Sequence, residues 1–252
     1  MNLYGLIGYP LGHSFSKKYF NDKFETEGLE DCFFDLFPIA NIAAFPDLLH
    51  ANPSLKGLAV TIPYKQAIIP YLQKMSEAAI NIGAVNCIKM EGGLLTGYNT
   101  DVIGFEKSFA PLLQPHHTQA LVLGTGGASK AVQYVLKICG IPFLLVSRVA
   151  ENKSNTVAYT DVDEAMLKDY SIIINCSPVG MSPNENEKPA IPYEFISSKH
   201  FLYDLVYKPE ATLFLKEGIK KGSIVKNGYD MLILQAEENW RIWNEPVVDA
   251  LR

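Results

Sequence analysis

The sequence has little of what marks several common classes of protein. Its four cysteines (Cys32, Cys87, Cys139 and Cys176) stand far apart, with no C-x-x-C pair and no histidine cluster beside them. We therefore expect neither a disulfide framework nor a metal site. The net charge of −5 comes with no long basic run, which argues against a nucleic-acid or membrane-surface binder.

Long apolar runs and targeting signals are lacking as well. No apolar stretch approaches the roughly 20 residues needed to span a bilayer. Met1-Asn-Leu-Tyr-Gly-Leu6 has neither the basic start nor the apolar core of a signal peptide. With 252 residues, 48% of them hydrophobic, the chain is long enough for two modest domains or one large one. We expect a soluble, cytoplasmic protein with no membrane partner.

A glycine turn in the middle of the chain is the most informative feature that is present. The apolar run Ala120-Leu-Val-Leu123 meets Gly124-Thr-Gly-Gly-Ala-Ser129 and then a helical pattern. In a dinucleotide-binding turn, Gly124 permits the sharp bend, Gly126 allows close approach of a pyrophosphate, and the helix start offers amide donors. Ser129 replaces the usual third glycine. An ordinary strand-turn-helix junction is the alternative interpretation.

The residues after the next apolar run favour NADP over NAD. Ile141-Pro-Phe-Leu-Leu-Val146 reads as a second buried strand, and Ser147-Arg148 follows where an acid would hold the ribose of NAD. The flat donor fork of Arg148 suits a 2′-phosphate, and Lys153 could assist. A solvated arginine at a strand end is the alternative.

Strand and helix patterns alternate through both halves of the chain, which predicts an α/β fold. The first half shows strands near 3–8, 32–37 and 57–61, helices near 16–27, 42–49 and 68–75, and a hairpin within 83–97. A helix is expected from Asp101 to Leu113, further strands near 171–175, 201–206 and 222–225, and a last helix from Tyr229 to Trp243. We expect a Rossmann-type doubly wound parallel sheet over residues 102–228, and a second α/β domain made of 1–101 with 229–252.

Several short motifs follow one another along nearly the whole chain. They are Gly8-Tyr-Pro-Leu-Gly-His-Ser-Phe-Ser16, Val60-Thr-Ile-Pro-Tyr-Lys65, Gly83-Ala-Val-Asn86, Gly97-Tyr-Asn-Thr-Asp101, Gly124-Thr-Gly-Gly-Ala-Ser129, Asn175-Cys-Ser-Pro-Val-Gly-Met181, Tyr207-Lys-Pro209 with Thr212, and Asn227-Gly228 with Met231-Leu232 and Gln235-Ala236. In this order and at these spacings the motifs resemble those of the shikimate dehydrogenases. That family reduces 3-dehydroshikimate to shikimate with NADPH, a step of aromatic amino-acid biosynthesis on the chorismate pathway, in a cleft between two α/β domains.

The resemblance implies a role for each of these residues. Lys65 and Asp101 would be the catalytic pair, which suits a reaction that leaves negative charge on a ketone oxygen. The substrate carboxylate would be bound by Ser14, Ser16 and Tyr207, and the ring hydroxyls by Thr61, Asn86, Asp101 and Gln235. The cofactor would be bound by Gly124, Thr125, Gly126, Gly127, Ala128, Ser129, Ser147, Arg148, Ser177, Met181 and Gly228. Taken singly, Lys65 could be a surface lysine, Asp101 and Ser14 helix caps, and Met181 a core residue.

Two positions depart from the usual pattern of the family. Tyr64 stands where a histidine commonly precedes the lysine, and Ser147-Arg148-Val149 replaces Asn-Arg-Thr. The second change removes a hydroxyl that would help to hold the 2′-phosphate. Oxidation of quinate with NAD, a non-catalytic nucleotide-sensing protein and, more remotely, an S-adenosylmethionine methyltransferase stay open as alternatives. We expect a monomer or a homodimer.

Overall fold

The computed structural model describes residues 1–12, 14–148 and 155–245. The chain divides into two compact units, one formed by Met1–Thr100 with the chain from Ala236 onward, the other by Asp101–Gln235. Each unit contains one six-stranded sheet. The predicted α/β class is confirmed, and no helix in the described part of the chain has the length and apolar character of a membrane span.

The first unit is built on a mixed sheet. Its elements are β1 (Asn2–Gly8), α1 (Phe15–Thr26), β2 (Cys32–Pro38), α2 (Phe45–Ala51), β3 (Leu55–Val60), α3 (Tyr64–Ala67), β4 (Lys74–Met75), α4 (Glu77–Ile82), β5 (Cys87–Glu91) and β6 (Leu94–Tyr98), with 3₁₀ turns at Ile42–Ala44 and Ile69–Tyr71. The strand order is β2-β1-β3-β5-β6-β4. Strands β1, β2 and β3 are parallel, whereas β5 and β6 form the predicted antiparallel hairpin. Gly92 and Gly93 turn this hairpin at φ 58° and 81°, where a side chain would be strained.

The elements of the second unit are α5 (Asp101–Phe109), β7 (Ala120–Leu123), α6 (Gly127–Ile138), β8 (Phe143–Ser147), β9 (Thr156–Ala158), α7 (Glu164–Asp169), β10 (Ile172–Asn175), β11 (Phe201–Asp204), α8 (Leu213–Lys220), β12 (Ile224–Lys226) and the first part of α9 (Tyr229–Asn244), with 3₁₀ turns at Ala110–Leu112, Tyr159–Asp161 and Tyr193–Phe195. All the strand pairs of its sheet are parallel, and the strand order is β12-β11-β10-β7-β8-β9. Counted from β9, the strands are the third, second, first, fourth, fifth and sixth along the chain, which is the order of dinucleotide-binding folds.

The C-terminal part of α9 packs on the first sheet through aromatic side chains. Trp243 lies against Tyr4 with ring centroids 5.1 Å apart, and its indole nitrogen donates to the Ile88 carbonyl at 3.0 Å. A Cβ on Gly57 would lie 2.3 Å from the Trp243 ring, so only glycine leaves room for the indole on β3. The part of α9 that follows Gln235 therefore belongs to the first unit's core.

Some predicted elements were wrong. The region 68–75 is a 3₁₀ turn followed by β4, because Pro70 lacks an N–H and the Gln73 amide donates to Leu95 of the neighbouring hairpin at 3.1 Å. The regular helix that begins at Asp101 ends at Phe109, before Pro111. The short elements α4, β9, α7 and α8 were not predicted.

Candidate active site

The carboxyl edge of the second sheet brings the predicted cofactor residues onto one side of that unit. Leu123, Val146, Asn175 and Asp204 are register partners on four adjacent strands, so the loops that follow them leave the sheet together. The chain order reverses between β7 and β10. In open α/β sheets, this switch point is where the loops part and a ligand binds.

The glycine turn at this edge fits an anionic group. Gly124 has φ 104°, and a Cβ there would lie 3.2 Å from the Ser177 amide nitrogen, so the turn packs closely on the loop after β10. A Cβ on Gly126 or Gly127 would meet nothing within 4 Å. Helix α6 starts at this open surface with no side-chain cap. The Ser129 amide donates to the Gly126 carbonyl at 3.1 Å, and the amides of Gly127 and Ala128 are left to a ligand. The residues present therefore fit the pyrophosphate of a dinucleotide.

The remaining residues of the turn have distinct environments. Thr125 is exposed and Ala128 half-buried. Ser129 is fully buried, and its hydroxyl donates to the Gly126 carbonyl at 2.7 Å. The serine side chain is thus small enough to be buried beneath the turn, and its hydrogen bond stabilises the turn. Serine can therefore stand in place of the third glycine.

Ser147 ends β8, and Arg148 follows it as an exposed side chain. The positive charge of Arg148 acts on Tyr159, whose pKa is raised by burial and partly lowered by the guanidinium. Lys153, predicted to assist, and Val149 lie outside the described residues.

Three further predicted residues differ in their surroundings. Met181 is 46% exposed, so a core role for it is wrong. Tyr207 is 37% exposed, with the pKa of its phenol raised by burial of the ring. A Cβ on Gly228 would lie 2.1 Å from the Leu205 carbonyl oxygen. Only glycine therefore allows the backbone at 228 to pass so close to the backbone at Leu205.

A buried carboxylate at the same edge was not predicted. Asp204 ends β11 with no solvent exposure, and burial raises its pKa to about 6, although hydrogen bonds lower it in part. Its Oδ1 accepts from Asn175 Nδ2 at 2.9 Å and from the Val206 amide at 3.0 Å, and its Oδ2 accepts from Thr212 Oγ1 at 2.6 Å. The signal available in the sequence was an acid closing an apolar strand.

In the first unit, the fold brings Thr61, Lys65 and Asn86 together at the carboxyl end of β3. The Thr61 amide donates to Ile7 at 2.9 Å, and the Val60 amide donates to the Asn86 carbonyl at 2.8 Å. Lys65 lies on α3, where its carbonyl accepts from Val85 at 2.7 Å. These backbone contacts place Thr61, Lys65 and Asn86 in one small region of this unit.

The Asn86 side chain is oriented by its neighbours. It is 3% exposed, and its Oδ1 accepts from the Thr100 amide at 2.7 Å and from Thr100 Oγ1 at 3.2 Å. Thr100 Oγ1 also lies 2.7 Å from Asn239 Oδ1, on α9. Because a backbone amide can only donate, the Asn86 oxygen must face Thr100, and its amide nitrogen is the group left to meet a ligand.

Ser14 and Ser16 lie at the start of α1. Ser14 is the N-cap residue, half-buried, with no side-chain hydrogen bond to the helix amides. Its hydroxyl is therefore not used as a cap. Tyr64, at the position that departs from the family pattern, is buried and donates its hydroxyl to the Ile39 carbonyl at 2.5 Å, which ties α3 to the segment after β2.

Asp101 and Gln235 lie at the crossing of α5 and α9. Asp101 is the buried first residue of α5. One turn later, a Cβ on Gly104 would lie 2.5 Å from the Met231 carbonyl and 3.1 Å from Gln235 Cβ, so glycine allows the helices to touch. Gln235 Nε2 donates to the Leu232 carbonyl at 2.9 Å. In the described part of the chain, no group of three or more His, Cys, Asp and Glu residues could hold a metal ion.

The chain is similar to known proteins along nearly its whole length. Residues 6–88 match a family described as the shikimate dehydrogenase substrate binding domain. A shikimate dehydrogenase (NADP(+)) of Caldanaerobacter subterraneus subsp. tengcongensis is 35% identical, over 98% of this chain and 93% of that protein. The solved shikimate dehydrogenase of Aquifex aeolicus has a TM-score of 0.84 and 34% identity, over 96% of this chain and 92% of that one. The shikimate 5-dehydrogenase of Thermus thermophilus, solved with NADP(H) and shikimate, has a TM-score of 0.85 and 29% identity, over 97% of this chain and 94% of that one.

Proposed function

This chain belongs to the shikimate dehydrogenase family, and on that basis we propose that it catalyses the NADPH-dependent reduction of 3-dehydroshikimate to shikimate. Relatives along nearly its whole length are NADP-dependent oxidoreductases by name. We assign substrate binding to the first unit with the C-terminal part of α9, and NADP binding to the second.

The observation that carries the proposal is the cluster of Thr61, Lys65 and Asn86 at the carboxyl end of β3. Reduction of a ketone leaves negative charge on its oxygen, and the reaction needs a proton donor within hydrogen-bond reach. The Lys65 ammonium can give that proton. Asp101 supplies a carboxylate that accepts a hydrogen bond from a hydroxyl of the substrate.

Substrate recognition uses short polar side chains. Shikimate is a small ring with one carboxylate and three hydroxyls, so several directional contacts suit it better than one strong charge. Ser14, Ser16 and Tyr207 donate to the carboxylate. Thr61, Asn86, Asp101 and Gln235 bind the hydroxyls, and the fixed amide of Asn86 requires an oxygen acceptor at its position.

The cofactor residues are those of the second sheet's carboxyl edge. The bound dinucleotide supplies the hydride. The open first turn of α6, with Gly126 and Gly127, receives the pyrophosphate. Arg148 and Ser147 bind the 2′-phosphate, which gives the preference for NADP, while Ser177, Met181 and Gly228 border the nicotinamide end.

The test is a steady-state assay with shikimate or quinate and with NADP⁺ or NAD⁺, followed by the absorbance of reduced nicotinamide. We expect turnover of shikimate with NADP⁺ as the preferred pair. Preference for quinate with NAD⁺ would replace the proposal by the broader quinate and shikimate activity. Absence of turnover with every pair would favour a nucleotide sensor, and thermal stabilisation by S-adenosylmethionine but not by NADP⁺ would favour a methyltransferase.

A further inference from the structure

We propose that Asp204 is a positioning residue for the cofactor: its carboxylate, acting through Asn175, holds the 175–181 loop in the arrangement that admits the dinucleotide. The inference rests on the proposed function, because it takes the second unit to bind NADP.

The carboxylate joins three segments that are distant in sequence. Its donors are Asn175 at the end of β10, the Val206 amide just after β11, and Thr212, which is the N-cap residue of α8. An ionised carboxylate accepts hydrogen bonds and donates none, so all three donors must face it. Asp204 thus determines how these segments meet.

Asn175 connects Asp204 to the loop, because one end of its side-chain amide contacts Asp204 and the other contacts Ser177. Since its Nδ2 faces Asp204, its Oδ1 is turned towards Ser177, where it accepts from the amide at 3.0 Å and from Oγ at 2.6 Å. Nδ2 also donates to the Val179 carbonyl at 3.3 Å. A single amide group, oriented by Asp204, therefore holds both Ser177 and Val179.

The far end of the loop is held by the same group of residues. A Cβ on Gly180 would lie 3.4 Å from Thr212 Cβ, so the backbone at Gly180 packs on the side chain that donates to Asp204. The near end packs on the glycine turn, where Gly124 approaches the Ser177 amide. A shift of the loop would therefore change the space beside the turn that receives the pyrophosphate.

The charge on Asp204 has no cationic partner among the described residues. The titratable groups that face it are the Cys176 thiol, in the loop, and the Tyr193 phenol, in the 3₁₀ turn Tyr193–Phe195; burial raises the pKa of both. The pKa of Asp204 is itself raised to about 6 by burial. Protonation near that pH replaces charge-assisted hydrogen bonds by neutral ones about half as strong and releases the loop.

The test compares Asp204→Asn with the unaltered protein. This substitution keeps the shape of the side chain, removes the charge and replaces one acceptor oxygen by a donor, as protonation of the carboxylate also does. Calorimetric titration with NADP⁺ from about pH 5 to about pH 8 gives the two dissociation constants at each pH. The 2′-phosphate of the ligand itself titrates near pH 6. The readout is therefore the dissociation constant of the variant divided by that of the unaltered protein at the same pH, because the titration of the ligand affects both constants equally. We expect a ratio of about tenfold at the basic end, falling towards unity at the acidic end.

Two further variants separate this effect from a general loss of structure. Thr212→Val removes one of the bonds that stabilise the charged form, so its affinity for NADP⁺ should fall at a higher pH than that of the unaltered protein. Ser108→Ala is the control. Ser108 lies on α5, and its buried hydroxyl is 2.6 Å from the hydroxyl of Tyr203, the residue before Asp204 on β11. The substitution removes this hydroxyl, which has no hydrogen bond to the 175–181 loop. The dissociation constant of this variant for NADP⁺ should equal that of the unaltered protein at every pH.

A ratio that does not change with pH, or an Asp204→Asn protein that binds as tightly as the unaltered one at the basic end, would overturn the inference alone. If Asp204→Asn does not fold, the Thr212→Val variant decides. The positioning role of Asp204 is then overturned if the NADP⁺ affinity of Thr212→Val falls at the same pH as that of the unaltered protein. No binding of NADP⁺ to the unaltered protein at any pH would instead overturn the proposed function, and this inference with it.

Discussion

The buried charge of Asp204 should lower the stability of the protein at neutral pH, and replacing it by asparagine should remove that loss. Burial raises the pKa of the carboxyl from 3.8 to about 6 in the folded protein. Because the folded pKa lies above the unfolded one, the unfavourable contribution is absent below about pH 4, grows between about pH 4 and 6, and is complete above that window. Two pKa units at about 1.36 kcal/mol each give roughly 3 kcal/mol.

The measurement is urea denaturation of Asp204→Asn and of the unaltered protein, followed by circular dichroism at several pH values. The free energy of unfolding of the variant minus that of the unaltered protein should rise by roughly 3 kcal/mol between about pH 4 and 7 and then stay level. Other titrating groups cancel in the difference. Asp169→Asn, at the exposed end of α7, is the control and should give no such rise.

A difference that stays constant with pH, or that falls as pH rises, would refute the reasoning. A rise in stability together with weaker NADP⁺ binding would mean that the chain keeps a destabilising carboxylate because the loop requires it.

The other predictions concern the proposed catalytic and cofactor residues. Lys65→Ala should lower kcat by roughly 10² to 10⁴ with a smaller effect on KM, and an unchanged kcat would remove Lys65 from the chemistry. Gly126→Ala should fold normally, because its added Cβ meets nothing within 4 Å, but bind NADP⁺ more weakly; an unaltered dissociation constant would contradict the assignment of the turn. Gly228→Ala, which clashes with the Leu205 carbonyl at 2.1 Å, should instead lower Tm. Arg148→Ala should reduce the ratio of kcat/KM for NADPH to that for NADH, and no change in this ratio would show that Arg148 does not bind the 2′-phosphate.

Local patterns predicted the elements whose stability is mostly local. The glycine turn before α6, the hairpin turned by Gly92 and Gly93, and the long helix α9 each carry a signal within a few residues. By contrast, β4 and β9 are two and three residues long and exist because a neighbouring strand pairs with them. The sequence of the short segment alone does not indicate such pairing.

The candidate site divides in the same way. Lys65, Asp101 and the glycines lie in recognisable motifs, so the sequence could indicate them. The role of Asp204 depends on Asn175, 29 residues away, and on the strand register that brings the two side by side. The orientation of Asn86 likewise depends on Thr100 and on Asn239 of the last helix, contacts that only the folded chain reveals.

The most direct test of the central claim follows the hydrogen itself. The protein would be incubated with 3-dehydroshikimate and NADPH that carries deuterium at the transferred position of the nicotinamide, and the product would be examined by mass spectrometry. The account predicts shikimate that contains one deuterium, formed far more slowly by Lys65→Ala. Shikimate without the label, or no shikimate at all, would contradict it.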